Sequence, residues 1–175
     1  MKQWHDTRDL WQRMCDQGRM FSHSGEETIA DNTSFDHLLI TPAGHGVDLV
    51  DFLLEVNGAP FTLELYEAPT IQEGSNGTSA PLLNMNRTSG KTASSQLFHG
   101  PTVTSTGSTL LRHKRIPGAK QTGGIGESNK NAFLLAANTA YLFRATNKSG
   151  QSQLISYTMR ICDAGAHRAL TRRNP

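Results

Sequence analysis

Asp48 and Asp51 open one stretch of alternating apolar residues, and Glu64 and Glu67 close the next. Two carboxyl groups facing each other across a cleft can cleave a glycosidic bond, one as acid and one as base or nucleophile. Acids that alternate with apolar residues also arise simply from strands with one wet face. Gly90-Lys91-Thr92 resembles the tail of a phosphate-binding loop, but Met85 stands where that motif needs its first glycine. Gly123-Gly124-Ile125-Gly126 could offer backbone amides to an anion, and glycines in a strand-rich chain also mark bends. The histidines (His5, His23, His37, His45, His99, His113 and His167) never pair at metal-ligand spacing. Cys15 and Cys162 stand far apart, with no Cys-x-x-Cys, and read as free, half-buried thiols. No Gly-x-Ser-x-Gly elbow supplies a hydrolase nucleophile. These residues predict no catalytic site, no cofactor and no metal.

The elements that would carry these residues are mostly strands. Phe35–Ile40 ends at Pro42-Ala43-Gly44. Val50, Phe52, Leu54 and Val56 alternate with Asp51, Leu53 and Glu55, and Phe61, Leu63 and Leu65 alternate with Thr62, Glu64 and Tyr66. Asn57-Gly58 between these two runs predicts an antiparallel hairpin. Further strands are expected at 102–106, 110–116, 132–136, 141–146 and 155–161. No helix-length crossover separates them, which argues against a parallel α/β sheet. The expected fold is all-β: a single antiparallel β-sandwich or jelly roll with an N-terminal helical arm.

That arm is residues 1–33. Thr7–Gln17 reads as a short amphipathic helix, capped by Asp6 or Thr7, ended by Gly18, with Leu10, Trp11 and Met14 on one face. Gly25–Ser34 reads as a polar linker. The sandwich is expected over 34–163, followed by a basic tail, 164–175, that holds Arg168, Arg172 and Arg173. The polar excursion 69–100 is long enough to suggest a functional or packed loop.

Composition agrees with this reading. Hydrophobic residues make up 36% and charged residues 18%, and 14 serines, 18 threonines and 16 glycines fill the rest. Such residues favour strands, turns and loops over helices. The net charge is +2, too near neutral to point to nucleic acid. No apolar run reaches membrane-spanning length, and the charged start does not read as a secretory signal. The expectation is a chain with no membrane or nucleic-acid partner.

Three segments together resemble a family of small tailed-bacteriophage virion proteins. Leu38-Leu39-Ile40-Thr41-Pro42-Ala43-Gly44-His45-Gly46 resembles their apolar run followed by Asn-Pro-Ala-Gly-Ser-Gly, with Thr41 and His45 as departures. Asn84-Met85-Asn86-Arg87-Thr88-Ser89 resembles their Asn-hydrophobic-Asn loop, and 133–149 resembles their late strand pair. The resemblance runs loosely over 38–162. It implies a capsid decoration, or cement, protein, made in the host bacterial cytoplasm and placed on the virion exterior, that bridges subunits of the major capsid protein. It implies no catalytic residue. A homo-oligomer is expected, a trimer if it sits on local threefold axes. Capsid contacts would come from Trp4, Leu10, Trp11, Met14, Arg172 and Arg173. Outward-facing Leu53, Tyr66 and Leu142 would join the copies. Trp4 and Trp11 could equally pack back on their own domain. The alternative is a receptor- or glycan-binding module of a tail fibre or spike, although aromatic side chains are scarce in its loops.

Overall fold

The computed structural model describes residues 10–56, 60–107, 109–116, 121–125 and 133–163. They form one short helix, α1 (Leu10–Asp16), and fourteen strands. The strands are β1 (Met20–Ile29), β2 (Ser34–Ile40), β3 (Val47–Val56), β4 (Phe61–Glu67), β5 (Thr70–Ile71), β6 (Thr78–Ala80) and β7 (Leu83–Asn84). They continue as β8 (Gln96–His99), β9 (Val103–Ser105), β10 (Thr109–Ile116), β11 (Gln121–Ile125), β12 (Phe133–Leu135), β13 (Ala140–Asn147) and β14 (Gln153–Cys162).

Two six-stranded sheets face each other. One runs β11-β3-β14-β1-β7, with β12 also on β3, and the other runs β10-β4-β13-β2-β8-β6. Consecutive long strands alternate between the sheets. The antiparallel pairs β1·β14, β2·β13, β3·β11/β12 and β4·β10 therefore wind around a common core. This winding is that of a jelly roll. The core follows from the period of two: Phe52 and Leu54 from β3, Leu63 and Leu65 from β4, Tyr141 and Phe143 from β13, and Met159 and Ile161 from β14 meet between the sheets. Each large apolar side chain buried this way contributes about 1.5–3 kcal/mol.

Two sequence expectations fail here. β3 and β4 do not form a hairpin, because β3 pairs with β14 and β11 while β4 pairs with β13 and β10. Alternation fixes which face of a strand is buried but not which strand lies beside it. The Asn57-Gly58 turn itself lies outside the described residues. The stretch read as a linker is also mostly strand. β1 spans ten residues, all in register with β14, so the sandwich begins at Met20 rather than at residue 34. Gly25 lies within β1. It faces Tyr157, and a Cβ there would lie 2.5 Å from the tyrosine hydroxyl. The glycine makes room for an aromatic ring and marks no turn.

The helix docks on its own domain. A register shift in the β3–β14 pairing between Arg160 and Ile161 leaves Val50 without a partner. Such a bulge re-aims side chains, and Val50 joins Met14, Met20 and Cys162 in a small cluster, with Trp11 and Cys15 packed against it. Gly18 ends α1 with φ +66°. Its N–H bonds to the Cys15 carbonyl, and the Arg19 N–H bonds to the Met14 carbonyl, the paired closure of a left-handed helix cap.

Candidate functional site

The residues that looked chemical are mostly fasteners. Asn84 is buried and donates through Nδ2 to the carbonyls of Gly18 and Lys91, both at 3.0 Å. Asn86 Nδ2 donates to the Asp16 carbonyl at 2.9 Å, and Lys91 Nζ to the Gln17 carbonyl at 2.8 Å. The 84–91 loop thus satisfies carbonyls at the end of α1 that have no partner inside the helix. A cation there also suits the helix dipole. Lys91 holds a helix end where sequence suggested the tail of a phosphate loop.

Asp163 is a second fastener, with a side chain 1% exposed. Its Oδ2 accepts the Ser94 and Ser95 amides at 2.7 Å and the Ser95 hydroxyl at 3.0 Å, and its Oδ1 lies 2.7 Å from His45 Nε2. A serine, an acid and a histidine meet, but the acid sits in the middle. A nucleophilic relay needs the imidazole on the hydroxyl. Here the carboxylate ties the 94–95 and 42–46 loops to the end of β14.

Two resemblance motifs lock onto each other. Thr41 Oγ1 donates to the Ala136 carbonyl at 2.7 Å and accepts the Thr139 amide at 2.9 Å, while the Asn138 amide donates to the Pro42 carbonyl. Asn147 is fully buried and donates to the Ile29 and Gln151 carbonyls.

The carboxylates do not face each other across a cleft. Asp51 accepts both Nε and Nη2 of Arg160 on the outer face of one sheet. Glu64 alternates with the core residues Leu63 and Leu65, so it lies on the outer face of the opposite sheet, 3.1 Å from His113. Glu67 accepts the Tyr141 hydroxyl at 2.9 Å, and Asp48 lies on β3 opposite Cys162. Gly123-Gly124 lies within β11, paired with Leu54 and Leu53, rather than in an anion-binding loop.

The interface candidates divide. Met14 is 2% exposed and Trp11 half-buried, both packed against the domain, so their apolar surface is largely used there. Leu10 opens α1. Trp4, Arg168, Arg172 and Arg173 lie outside the described residues. Leu142 is not outward and free: it is fully buried on the outer side of its sheet, in a cross-strand row with Leu38 and Tyr66. Leu53 and Tyr66 are half-buried. Burial raises the Tyr66 hydroxyl pKa, and the neighbouring Glu64 raises it further.

Two features went unread in the sequence. The first is an exposed patch beside the root of the arm. Leu83 is 52% and Met85 39% exposed, with exposed Arg87 next to them, and the Met85 amide is fixed to the Met20 carbonyl. The second is a histidine layer centred on buried His37. His37 faces the core between Phe35 and Leu39 with neither ring nitrogen hydrogen-bonded. Its ring centre lies 5.7 Å from that of His23, 5.6 Å from His99 and 4.8 Å from Tyr157. Burial, then the His23 and His99 charges, push its pKa down to about 3. Burial also lowers the His23 pKa, partly offset by its bond to the Pro81 carbonyl. His99 lines a surface groove of about 260 Å³, shared with Glu27, Ser34, Phe35, Asp36 and Pro101. The signal was legible: Phe35, His37 and Leu39 share one face of an alternating strand.

Among the described residues, no three His, Cys, Asp or Glu side chains are arranged to hold a metal ion, and no helix is long and apolar enough to cross a membrane.

The fold makes this chain an all-β, antiparallel jelly-roll protein. No protein-family model matches its sequence, and no curated protein does. Among solved structures it is similar to the Yersinia pseudotuberculosis-derived mitogen, with a TM-score of 0.38 and 10% identity over 79% of this chain and 83% of that one. A likeness this distant says nothing about function.

Proposed function

We propose that this protein is a structural component of a phage virion. It decorates the capsid exterior and bridges subunits of the major capsid protein, as a homotrimer, and performs no reaction. The observation that supports this reading is that two of the three resemblance motifs interlock. Thr41-Pro42 bonds to Ala136–Thr139, and Asn84 and Asn86 bond to the end of α1. The Thr41-Pro42 entry and the late strand pair, distant in sequence, thus act as one structural set, as expected of a resemblance that extends to the fold. The mechanism is mass action: a ligand that binds only the assembled shell stabilises it. Several weak contacts per oligomer multiply that effect.

The docked helix moves the proposed contact. Met14 and most of Trp11 are spent inside the domain. Leu83, Met85 and Arg87 at the root of the arm take their place, with Trp4, Leu10, Arg172 and Arg173 retained as contacts. The test is co-sedimentation of purified protein with empty heads. Wild type pellets with the heads, while a Leu83→Ser, Met85→Ser double variant with an unchanged melting temperature stays in the supernatant. No pelleting of wild type contradicts the proposal, and binding to host polysaccharide instead of heads supports the tail-fibre alternative.

A further inference from the structure

Neutral imidazole still needs hydrogen bonds, and a buried polar atom without one costs stability. His37 leaves both ring nitrogens unpartnered, and His99 leaves its buried Nδ1 unpartnered. A phenylalanine at position 37 could stack on the same neighbours without that penalty: Phe35 at 4.6 Å, Tyr157 at 4.8 Å and Phe52 at 6.0 Å between ring centres. What phenylalanine cannot do is take up a proton.

The setting would amplify proton uptake. His37 comes from β2, His99 from β8 in the same sheet, and His23 from β1 in the opposite sheet, so the layer spans the interface between the sheets. The other titratable groups here are Tyr157 of β14, whose hydroxyl pKa is raised by burial, Glu27 of β1, and Asp36 of β2, which lines the groove with His99 and is paired with Arg144. Glu27 Oε2 lies 3.8 Å from His99 Nε2 and nearer the groove than His37. β3 contributes only Phe52. No carboxylate is hydrogen-bonded to His37, so a proton there meets two other imidazoles and aromatic rings.

We propose that the His23–His37–His99 layer is an acid-operated latch. With His37 neutral, it packs the two sheets together; a proton on His37 lifts the β6–β8 flap away from β1. The flap is the weak side of the sandwich. β8 is four residues long and β6 three, and β8 pairs only with β2 and β6, whereas β1 and β14 pair over ten residues. Short strands held on few neighbours open at the lowest free energy. The groove beside His99 gives water and protons a path to the layer. The latch does not depend on the virion reading.

The test is urea unfolding of the full chain at pH 7.5 and pH 5.0, for wild type and for His37→Phe. One histidine that is protonated when unfolded and neutral when folded raises the unfolding constant about thirtyfold over that interval. Wild type should show at least that rise, and His37→Phe a rise smaller by about the same factor. Parallel pH profiles for the two proteins would overturn the latch. Hydrogen exchange of wild type, corrected for intrinsic rates, decides the matter if the variant fails to fold. Protection lost at pH 5.0 first in Leu97–His99 and Thr78–Ala80 supports the latch, and equal or no loss across β3 and β14 as well as the flap contradicts it.

Discussion

Asn86 donates through Nδ2 to the carbonyl of Asp16 at 2.9 Å, joining residues 70 apart in the chain. This bond and its neighbours from Asn84 and Lys91 make the polar loop part of the helix it holds. Helix α1 and the Asn-Met-Asn loop are therefore one unit.

Asn84→Ala should destabilise the protein by about 2–3 kcal/mol. It removes both carbonyl bonds and the acceptor for the Asn86 amide from a buried position, and each unsatisfied group costs about 1–3 kcal/mol. The melting temperature should drop by about 5–10 °C by calorimetry. Asn86→Ala, in a more exposed setting, should cost about half as much. An Asn84→Ala melt equal to wild type would mean that the loop does not hold the helix.

Asp163→Ala should cost about 3 kcal/mol, because the Ser94 and Ser95 amides, the Ser95 hydroxyl and His45 all lose their acceptor. Ser95→Ala should cost about 1 kcal/mol. The ratio of the two denaturant midpoint shifts checks that the carboxylate is the hub. A larger shift for Ser95→Ala than for Asp163→Ala would place the hub elsewhere.

The two thiols should differ in reactivity. Cys162 is 1% exposed, and burial pushes its thiol pKa up to about 12, so little thiolate forms near neutral pH. Cys15 is half-buried on the docked helix. Alkylation followed by mass spectrometry should label Cys15 within minutes and Cys162 only under unfolding conditions. Met14→Ala, which leaves a cavity beneath the helix, should speed labelling of Cys15. Equal labelling of both thiols in the native protein would contradict the docked arm.

Stability should fall with acid. His37 has its pKa lowered from 6.5 unfolded to about 3 folded, and that of His23 is lowered as well. The unfolded chain then binds more protons, so stability rises with pH in this window. The contribution is complete above about pH 6.5 and is lost as pH falls from there toward about 3. Melting temperatures measured from pH 8 to pH 4 should hold level and then decline, and a flat profile would contradict the buried layer.

Much of this architecture was legible from alternation. The strands around Phe35, Val50, Phe61, Tyr141 and Ile155 appear where period two places them, and Gly18 ends the helix as a left-handed cap. Pairing was not legible. The run from Val50 to Leu65 reads as a hairpin because a turn signal and two alternating strands look the same whether the chain folds back within a sheet or arches to the facing one. β1 was hidden by Gly25, whose purpose depends on Tyr157, 132 residues later. Leu142 alternates outward as expected, yet it is fully buried on that side, beside Leu38 and Tyr66. The histidine layer was half legible: alternation turns His37 inward, but only the fold brings His23 and His99 to it.

The central claim is mechanical adhesion to many identical sites. It is tested most directly by counting copies of this chain in purified virions by quantitative mass spectrometry against the major capsid protein. The account predicts a fixed ratio that corresponds to hundreds of copies, in threes at symmetric sites on the shell. Absence from the particle, or a handful of copies, would contradict it.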